Sequence, residues 1–289
     1  MSRRFVWTLA LLVGWVAVDA CNGTTGDQLV TFPAYAAGAK AAGDPFSFDG
    51  YTIQLTYAHM YVGEIYVNEA PAGSGGFDTP ACISQGIYCA QVPDGLDVDL
   101  LSPNEQPFPV QGSGTADLGL SWELHLTQGD VNAPENTGFG VPNTADLIGT
   151  ATRDSDGKVF SWAATVTINE SNRGQPAQDP GQPGLNPICK QRIIELGDID
   201  LTLSQGVSLL LTIDPRGWFE QPIDFSSLPS VASDPCELDP SSMYGAAEYC
   251  IPDSSSLSGG VPGAQQGATL YAGIFTGGSA AYTLTYSSP

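Results

Sequence analysis

Two histidines, His59 and His125, are the first candidates for chemistry, because an imidazole binds metals and transfers protons near neutral pH. The 289 residues contain no other histidine. Met60 directly follows His59, so a copper site made of two histidines and a methionine is one interpretation. Neighbouring residues of a strand face opposite sides, so this site requires a bend at His59. The alternative is that both histidines are surface or packing residues.

Sequence motifs of hydrolases are absent. The chain has neither a G-x-S-x-G elbow nor an H-E-x-x-H helix. Glu195, Asp198 and Asp200 resemble the carboxylate clusters of jelly-roll glycosidases, whose acids must flank one bond. Strand alternation places Glu195 on the opposite face from the two aspartates. We therefore predict that the protein is not an enzyme.

Two pairs of aspartates, Asp97 with Asp99 and Asp198 with Asp200, are each spaced two residues apart. Residues at this spacing share one face of a strand. Calcium takes about six to eight oxygen ligands, of which each pair supplies only a part. The apolar residues between the aspartates favour solvent-facing positions instead. The sequence predicts no cofactor, with copper and calcium as the alternatives.

The string DPRGWF at residues 214–219 is the most distinctive local sequence. Arginine and aromatic residues are common in binding hot spots, so Arg216 and Trp218 could contact a ligand. The alternative is a structural corner, in which proline sets the turn and the aromatic residues close one end of the fold. We favour the corner.

The N-terminus has the features of an export signal. Arg3 and Arg4 precede the apolar run FVWTLALLVGWVAV at residues 5–18. This run is shorter than the about 20 residues that span a bilayer, and its length fits a secretory signal. We predict a signal peptide at residues 1–20 and therefore an extracytoplasmic protein.

Residues 18–21, VDAC, resemble the lipobox of bacterial lipoproteins, in which the cysteine is acylated after cleavage. The resemblance implies a lipid on Cys21, with residues 21–28 as a polar tether and residence at the outer membrane or cell surface. Asp19 departs from the small neutral residue that the family prefers. Val18 and Ala20 also satisfy the ordinary cleavage rule, so a soluble periplasmic or secreted protein is the alternative.

The chain is strongly acidic. Lys and Arg total 9 against 31 Asp and Glu, which gives a net charge of −22. Binding of nucleic acid requires clustered Lys and Arg, so we exclude this partner. The same charge opposes contact with anionic lipid, so membrane attachment depends on the acyl anchor. An envelope protein or a glycan remains as the partner.

The number of cysteines available for disulfides depends on whether Cys21 of the signal is lipidated. The chain has 6 cysteines, so lipidation of Cys21 leaves an odd number for pairing. In an oxidising compartment disulfides are expected, and no C-x-x-C metal motif competes. Local spacing favours Cys82–Cys89 and Cys236–Cys250, whereas Cys189 has no assigned role.

Composition and periodicity predict an all-β fold. Charged residues are only 14% of the chain, and 34 glycines and 22 prolines indicate many turns. No amphipathic helix longer than two turns is evident. We predict one antiparallel β-sandwich domain over residues 29–289, which could be jelly-roll-like, with long loops. Strands are predicted at residues 29–36, 51–67, 86–92, 96–100, 116–126, 147–153, 158–169, 191–203, 207–213, 268–275 and 280–286.

Two details of these strands carry further predictions. Gly63 indicates a bulge or bend in the long strand 51–67. In strand 116–126, leucines and Trp122 fall on one face, whereas Gly119, Ser121, Glu123 and His125 fall on the other. This alternation predicts a half-buried strand whose polar face, a solvated back, is exposed to solvent.

Two segments, FDGYTIQLTYAHMYVGEIYV at 48–67 and LTIDPRGWFEQPIDFSSL at 211–228, are similar to envelope lipoproteins of environmental Gram-negative bacteria. The resemblance implies an envelope β-domain without an assigned activity. Secreted copper-binding proteins of methane-oxidising bacteria are a more distant likeness, from which no ligand residue can be carried over. The sequence thus predicts a non-enzymatic envelope lipoprotein that acts as a binding or structural module. The alternative is a secreted or periplasmic copper-type protein using His59 and His125.

Overall fold

The computed structural model describes residues 29–68, 88–116, 118–126, 143–167, 192–232, 247–252, 263–276 and 281–287. The predicted signal peptide, Cys21 and the tether lie outside these described residues. No helix among the described residues has the length and apolar character needed to cross a membrane.

The described part of the chain is mostly strand, which confirms the predicted all-β class. The strands are β1 (Leu29–Phe32), β2 (Ala34–Gly38), β3 (Phe46–Phe48), β4 (Tyr51–Asn68), β5 (Tyr88–Val92), β6 (Leu96–Asp99), β7 (Gln106–Pro107), β8 (Gly112–Thr115), β9 (Leu118–Leu126), β10 (Ala145–Arg153), β11 (Val159–Val166), β12 (Arg192–Thr202), β13 (Ser208–Ile213), β14 (Tyr249–Ile251) and β15 (Tyr282–Ser287). One helix, α1 (Ala264–Thr276), lies between β14 and β15.

The strands form two sheets with a common core, as predicted for a sandwich. The larger sheet has the order β1-β8-β5-β4-β10-β11-β14, with β3, β6 and β9 also paired to β4, and β12 paired to β9. The smaller sheet has the order β15-β13-β2-β7. One hydrophobic cluster contains residues from both sheets, including Ile53 of the larger and Leu211 of the smaller.

The chain crosses between the sheets at positions that the sequence marks. Pro33 separates β1 in the larger sheet from β2 in the smaller one, because proline has no N–H to continue a ladder. The turn at residues 204–206 likewise separates β12 from β13, and Gly206 adopts a φ of 91° there.

The predicted antiparallel pairing is not uniform. β13 pairs in parallel with β2, and β11 pairs in parallel with β14. Neither pair is joined by a hairpin, so the direction of pairing follows from packing and not from a tight turn. The predicted hairpin between β10 and β11 is present, with Gly157 at a φ of 71° in its turn.

β4 is the central strand of the larger sheet, and it contains two irregularities. Its pairing with β10 shifts register opposite Thr56, and its pairing with β9 shifts between Val62 and Ile65. The second shift confirms the irregularity predicted at Gly63. The first reverses the buried face, because Ile53 and Leu55 face the core before Thr56 whereas Ala58 and Met60 face it afterwards. His59 is thereby turned outward.

The strand predicted at residues 268–275 is wrong, because this segment forms α1. Leu270 and Ile274 are fully buried, and their spacing of four residues gives a helix one apolar face. A short apolar run is compatible with a strand or a helix by periodicity alone. Packing selects the helix at this position, since Gly273 lies directly against the carbonyl of Trp218.

The cysteines depart from the predicted pairing. Cys89 is a buried thiol, and its Sγ donates a hydrogen bond to the carbonyl oxygen of Val67 at 3.5 Å. The predicted Cys82–Cys89 disulfide is therefore wrong, because β5 directs Cys89 into the core. Cys250 in β14 is disulfide-bonded, and the second cysteine lies outside the described residues. Its pairing with Cys236 stays a prediction.

Candidate functional site

The outward-facing part of β4 brings His59 among three aspartates. In the ladder, His59 lies opposite Asp99 of β6 on one side and opposite Asp146 of β10 on the other. Asp97 is two residues from Asp99 on the same side of β6 and is exposed. We call Tyr57, His59, Asp97, Asp99 and Asp146 the His59 face.

His59 is held by two neighbours. Its Nδ1 lies 3.3 Å from Oδ1 of Asp97, and the side chains are 28% and 51% exposed. The ring of Tyr57 stacks on the imidazole with centroids 4.5 Å apart and planes 10° apart. The imidazole is therefore oriented by an acid at one edge and an aromatic ring on one side, while part of it stays accessible to solvent.

The aspartates raise the pKa of His59. The hydrogen bond to Asp97 is the largest cause, and the charges of Asp97, Asp99 and Asp146 add to it, against the opposing effect of burial. Because the folded state binds this proton more tightly than the unfolded state does, protonation of His59 stabilises the fold. The stabilisation is complete below the unfolded pKa of about 6.5 and is lost as the pH rises through the folded pKa. Protonated His59 is thus favoured under mildly acidic conditions.

Tyr57 remains a neutral phenol. Burial raises its pKa to about 12, and the charges of Asp146, Asp97 and Asp99 contribute in the same direction. All three carboxylates thus lie close enough to Tyr57 for their charges to act on its hydroxyl. The face therefore presents a neutral aromatic hydroxyl within a negative field.

Asp146 and Asp99 are fixed by hydrogen bonds to groups other than His59. Asp146 accepts from Nδ2 of Asn143 at 3.0 and 3.1 Å and from Oγ1 of Thr165 at 2.9 Å. Asp99 accepts from the backbone N–H of Leu101 at 3.0 Å. The negative charges are consequently pre-positioned, which lowers the cost of ordering them around a ligand.

The predicted copper site of two histidines and Met60 is not assembled as proposed. Met60 is fully buried on the core side of β4, where its Sδ lies 4.0 Å from the hydroxyl of Tyr282. His59 faces the other side, so the two residues cannot share a metal. His125 pairs through its backbone with Ile193, and its side chain lies outside the described residues. Within the described residues, no group of three or more His, Cys, Asp or Glu is arranged to hold a metal.

A second polar group occupies the C-terminal half of β4 and the facing part of β9. Its members, Glu64, Tyr66, Asn68, Ser121 and Glu123, are all buried. We call them the buried polar cluster. The predicted solvated back of β9 is wrong at these positions, because Ser121 is 2% and Glu123 is 1% exposed.

No known protein family, curated protein or solved structure matches this chain. The geometry and charge of the chain's own residues therefore have to indicate its function.

The 214–219 string forms the structural corner. Residues Pro215–Trp218 make one turn of 3-10 helix, and Asp214 caps it by accepting from the backbone N–H of Arg216 at 3.1 Å. The Arg216 guanidinium also donates to both carboxylate oxygens of Asp214. Trp218 is fully buried, so a ligand at the surface cannot reach it, whereas Arg216 is partly exposed. The predicted ligand contact at Trp218 has no support in this position.

The pair Asp198 and Asp200 is only half described. Asp200 is exposed, as predicted, and its carbonyl oxygen accepts from the hydroxyl of Tyr286 at 2.7 Å. The side chains of Asp198 and Glu195 lie outside the described residues, so neither the calcium interpretation nor the glycosidase one gains support.

Sequence reasoning missed Asp146, Glu64 and Asn68. Asp146 joins the His59 face only through the pairing of β10 with β4, which a linear pattern does not contain. Glu64, Tyr66 and Asn68 have the spacing of two that places residues on one strand face. This spacing beside Ser121 and Glu123 was the available signal for the buried polar cluster.

Proposed function

We propose that the protein is a non-enzymatic cell-envelope lipoprotein, held at the outer membrane by a lipid on Cys21. Its His59 face binds a positively charged segment of another envelope protein. The observation that carries this proposal is the position of His59 in the ladder between Asp99 and Asp146, with Asp97 at its ring nitrogen.

The charge of the face selects the ligand. Asp97, Asp99 and Asp146 lie together on a chain whose net charge is −22, so anions are repelled and cations are attracted. The opposite face of β4 is packed in the core, so the outward face is the side available to a partner. An extended basic segment that brings lysines or arginines to these carboxylates would form charge-assisted hydrogen bonds.

A neutral glycan fits this surface less well. Sugars commonly pack on exposed aromatic rings, but one side of the Tyr57 ring is already occupied by His59. The raised pKa of His59 also implies a ligand whose affinity varies with pH, since protonation adds a positive charge to the face. A cationic partner is therefore expected to bind more weakly as the pH falls.

Binding of a pentalysine peptide to the mature full-length protein tests the ligand class. We expect the double variant Asp97→Asn with Asp99→Asn to weaken binding by about three- to tenfold at low salt, because each exposed charge pair contributes up to about 1 kcal/mol. Isothermal titration calorimetry at pH 7.5 and pH 5.5 measures the effect, and wild-type affinity is expected to be lower at pH 5.5.

The matched control removes the same charge elsewhere. Asp49 and Asp154 lie in turns at the other end of β4 and β10, and asparagine retains the Asp154 oxygen that accepts from Thr52. Asp49→Asn with Asp154→Asn should leave pentalysine affinity close to wild type. Equal weakening by both double variants would show only a general charge effect. Tight binding of a neutral oligosaccharide instead of pentalysine would refute the proposed ligand class.

The lipid anchor has its own test. Mass spectrometry of the mature N-terminus is expected to show a diacylglyceryl adduct on Cys21, and Cys21→Ser should release the protein from the membrane fraction. An unmodified Cys21 engaged in a disulfide would refute anchoring and favour the soluble alternative.

A further inference from the structure

The segment between β5 and β6 contains a chemically labile pair, Asp94 followed by Gly95. β5 and β6 pair with the same side of β4 and are separated by residues 93–95. In β4 only residues 63–64 lie between the two ladders, so the segment 93–95 has one residue more than its partner and forms a β-bulge. Asp94 and Gly95 are half-buried in this bulge, and water can reach them.

The carboxyl group of Asp94 is held against the next peptide nitrogen. The backbone N–H of Gly95 donates to Oδ1 of Asp94 at 2.8 Å. A Cβ at Gly95 would lie 2.7 Å from the carbonyl oxygen of Val62, so the bulge accommodates only glycine, and no side chain shields the nitrogen. Groups that are held in contact react faster than groups that must first find each other. The nitrogen of Gly95 and Cγ of Asp94 are such a pair.

We propose that Asp94 is a site of spontaneous conversion to isoaspartate. The nitrogen of Gly95 loses its proton and bonds to Cγ of the protonated Asp94 carboxyl group, whose hydroxyl leaves, so one water is released and a cyclic imide forms. Water then adds to the main-chain carbonyl carbon of the imide and breaks its bond to nitrogen. The chain now continues through Cβ and Cγ, and the former main-chain carbonyl is a free carboxylate. The water that was released is returned, and no oxidant, metal or enzyme is required.

The two other Asp-Gly pairs of the chain are arranged differently. Oδ1 of Asp156 accepts from Nε of Arg153 at 3.0 Å and from the backbone N–H of Lys158 at 3.1 Å. The hydrogen bond to Arg153 is the largest cause that lowers the pKa of Asp156 to about 2, so this carboxyl group is rarely in the protonated form that can lose its hydroxyl. Asp49 and Gly50 form a turn with φ of 47° and 79°, and within the described residues the Asp49 carboxyl does not contact the next N–H.

Isoaspartate at residue 94 displaces β6. It adds one carbon to the main chain inside a bulge whose flanking strands are both fixed to β4. β6 carries Asp97, whose Oδ1 lies 3.3 Å from Nδ1 of His59 and whose hydrogen bond is the largest cause of the raised pKa of His59. The added length moves Asp97 away from this position, so the pKa of His59 falls. This inference does not depend on the lipid or on the cationic ligand, and its failure would leave the proposed function untouched.

Incubation of the mature full-length protein for several weeks at neutral pH and body temperature tests the site. Proteolysis and mass spectrometry with electron-transfer dissociation then distinguish isoaspartate from aspartate in each peptide. We expect at least about ten times as much isoaspartate at Asp94 as at Asp156, because each pKa unit changes the protonated fraction tenfold. Asp94→Glu should remove the product, since the larger imide ring closes much more slowly. Absence of isoaspartate at Asp94, or an equal amount at Asp49 or Asp156, would overturn the proposal.

Arg153→Ala is the matched variant. It removes the guanidinium that holds the Asp156 carboxyl, so isoaspartate at Asp156 should rise by about tenfold or more while the amount at Asp94 stays at the wild-type level. An unchanged amount at Asp156 would mean that access to a protonated carboxyl group does not control the reaction, and it would refute the proposed selection of Asp94.

Titration of His59 by NMR tests the displacement of β6. The isoaspartate form is separated from the unmodified protein by chromatography, and His59→Ala assigns the imidazole signal. We expect the pKa of His59 to be lower in the isoaspartate form and to approach the ordinary value of about 6.5. Asp94→Glu, incubated in the same way, should titrate as it did before incubation. An identical pKa of His59 in the two separated forms would refute the displacement of Asp97.

Discussion

Replacement of Trp218 by alanine is expected to lower the free energy of unfolding by about 3–5 kcal/mol, the range for removal of a large aromatic side chain from a core. Trp218 is fully buried, and its carbonyl oxygen lies directly against Gly273 of α1. The side chain of Trp218 belongs to the hydrophobic cluster that both sheets share, so its removal leaves a cavity in the core. Urea denaturation followed by circular dichroism measures the change.

Arg216→Ala is the matched control for this corner. The Arg216 guanidinium is partly exposed and pairs locally with Asp214, so its removal should cost less than about 1 kcal/mol. If Trp218→Ala instead retained wild-type stability and lost a binding activity, residues 214–219 would be a ligand mouth and the structural-corner interpretation would be wrong.

Gly38→Ala is the second substitution with a large expected effect. A Cβ at Gly38 would lie 1.8 Å from the carbonyl oxygen of Leu100, and backbone cannot move aside as a flexible side chain does. The Gly38 N–H also donates to the carbonyl oxygen of Ser102 at 2.8 Å, which ties β2 to the segment after β6. We expect a loss of at least about 3 kcal/mol in the free energy of unfolding, at or above the usual range for overpacking.

Gly43→Ala provides the comparison within the same region of the chain. No atom lies within 4 Å of a Cβ at Gly43, so its free energy of unfolding should stay within about 0.5 kcal/mol of wild type. The difference between the two glycine variants isolates the steric contact with Leu100. Similar stabilities for both would mean that β2 does not approach Leu100 as described.

Strands were predictable where a strong local pattern coincided with a turn signal. β4 has dense β-branched and aromatic residues and begins and ends within one residue of its prediction. The β10–β11 turn was predictable from its DSDG sequence, since glycine tolerates the positive φ that the turn requires. α1 was not predictable, because residues 264–276 have no strong signals for either state and pack as a helix against the 3-10 turn.

The candidate site was predictable only in part. Asp97 and Asp99 were identified as a pair on one face, and His59 as a chemically competent side chain. Their convergence with Asp146 depends on two ladders and on the register shift at Thr56, which reverses the buried face of β4. A single inserted residue changes which side every later residue faces, and no local preference marks Thr56.

The sequence by itself determined the all-β class, the acidic character and the alternation that divides β9 into an apolar and a polar face. Tertiary structure alone decided that the polar face at Ser121 and Glu123 is buried and that Trp218 is inaccessible. Alternation follows from the local geometry of the strand, so a sequence contains it. Burial depends on which distant segments cover a face, and that is settled only when strands far apart in the chain pair and pack.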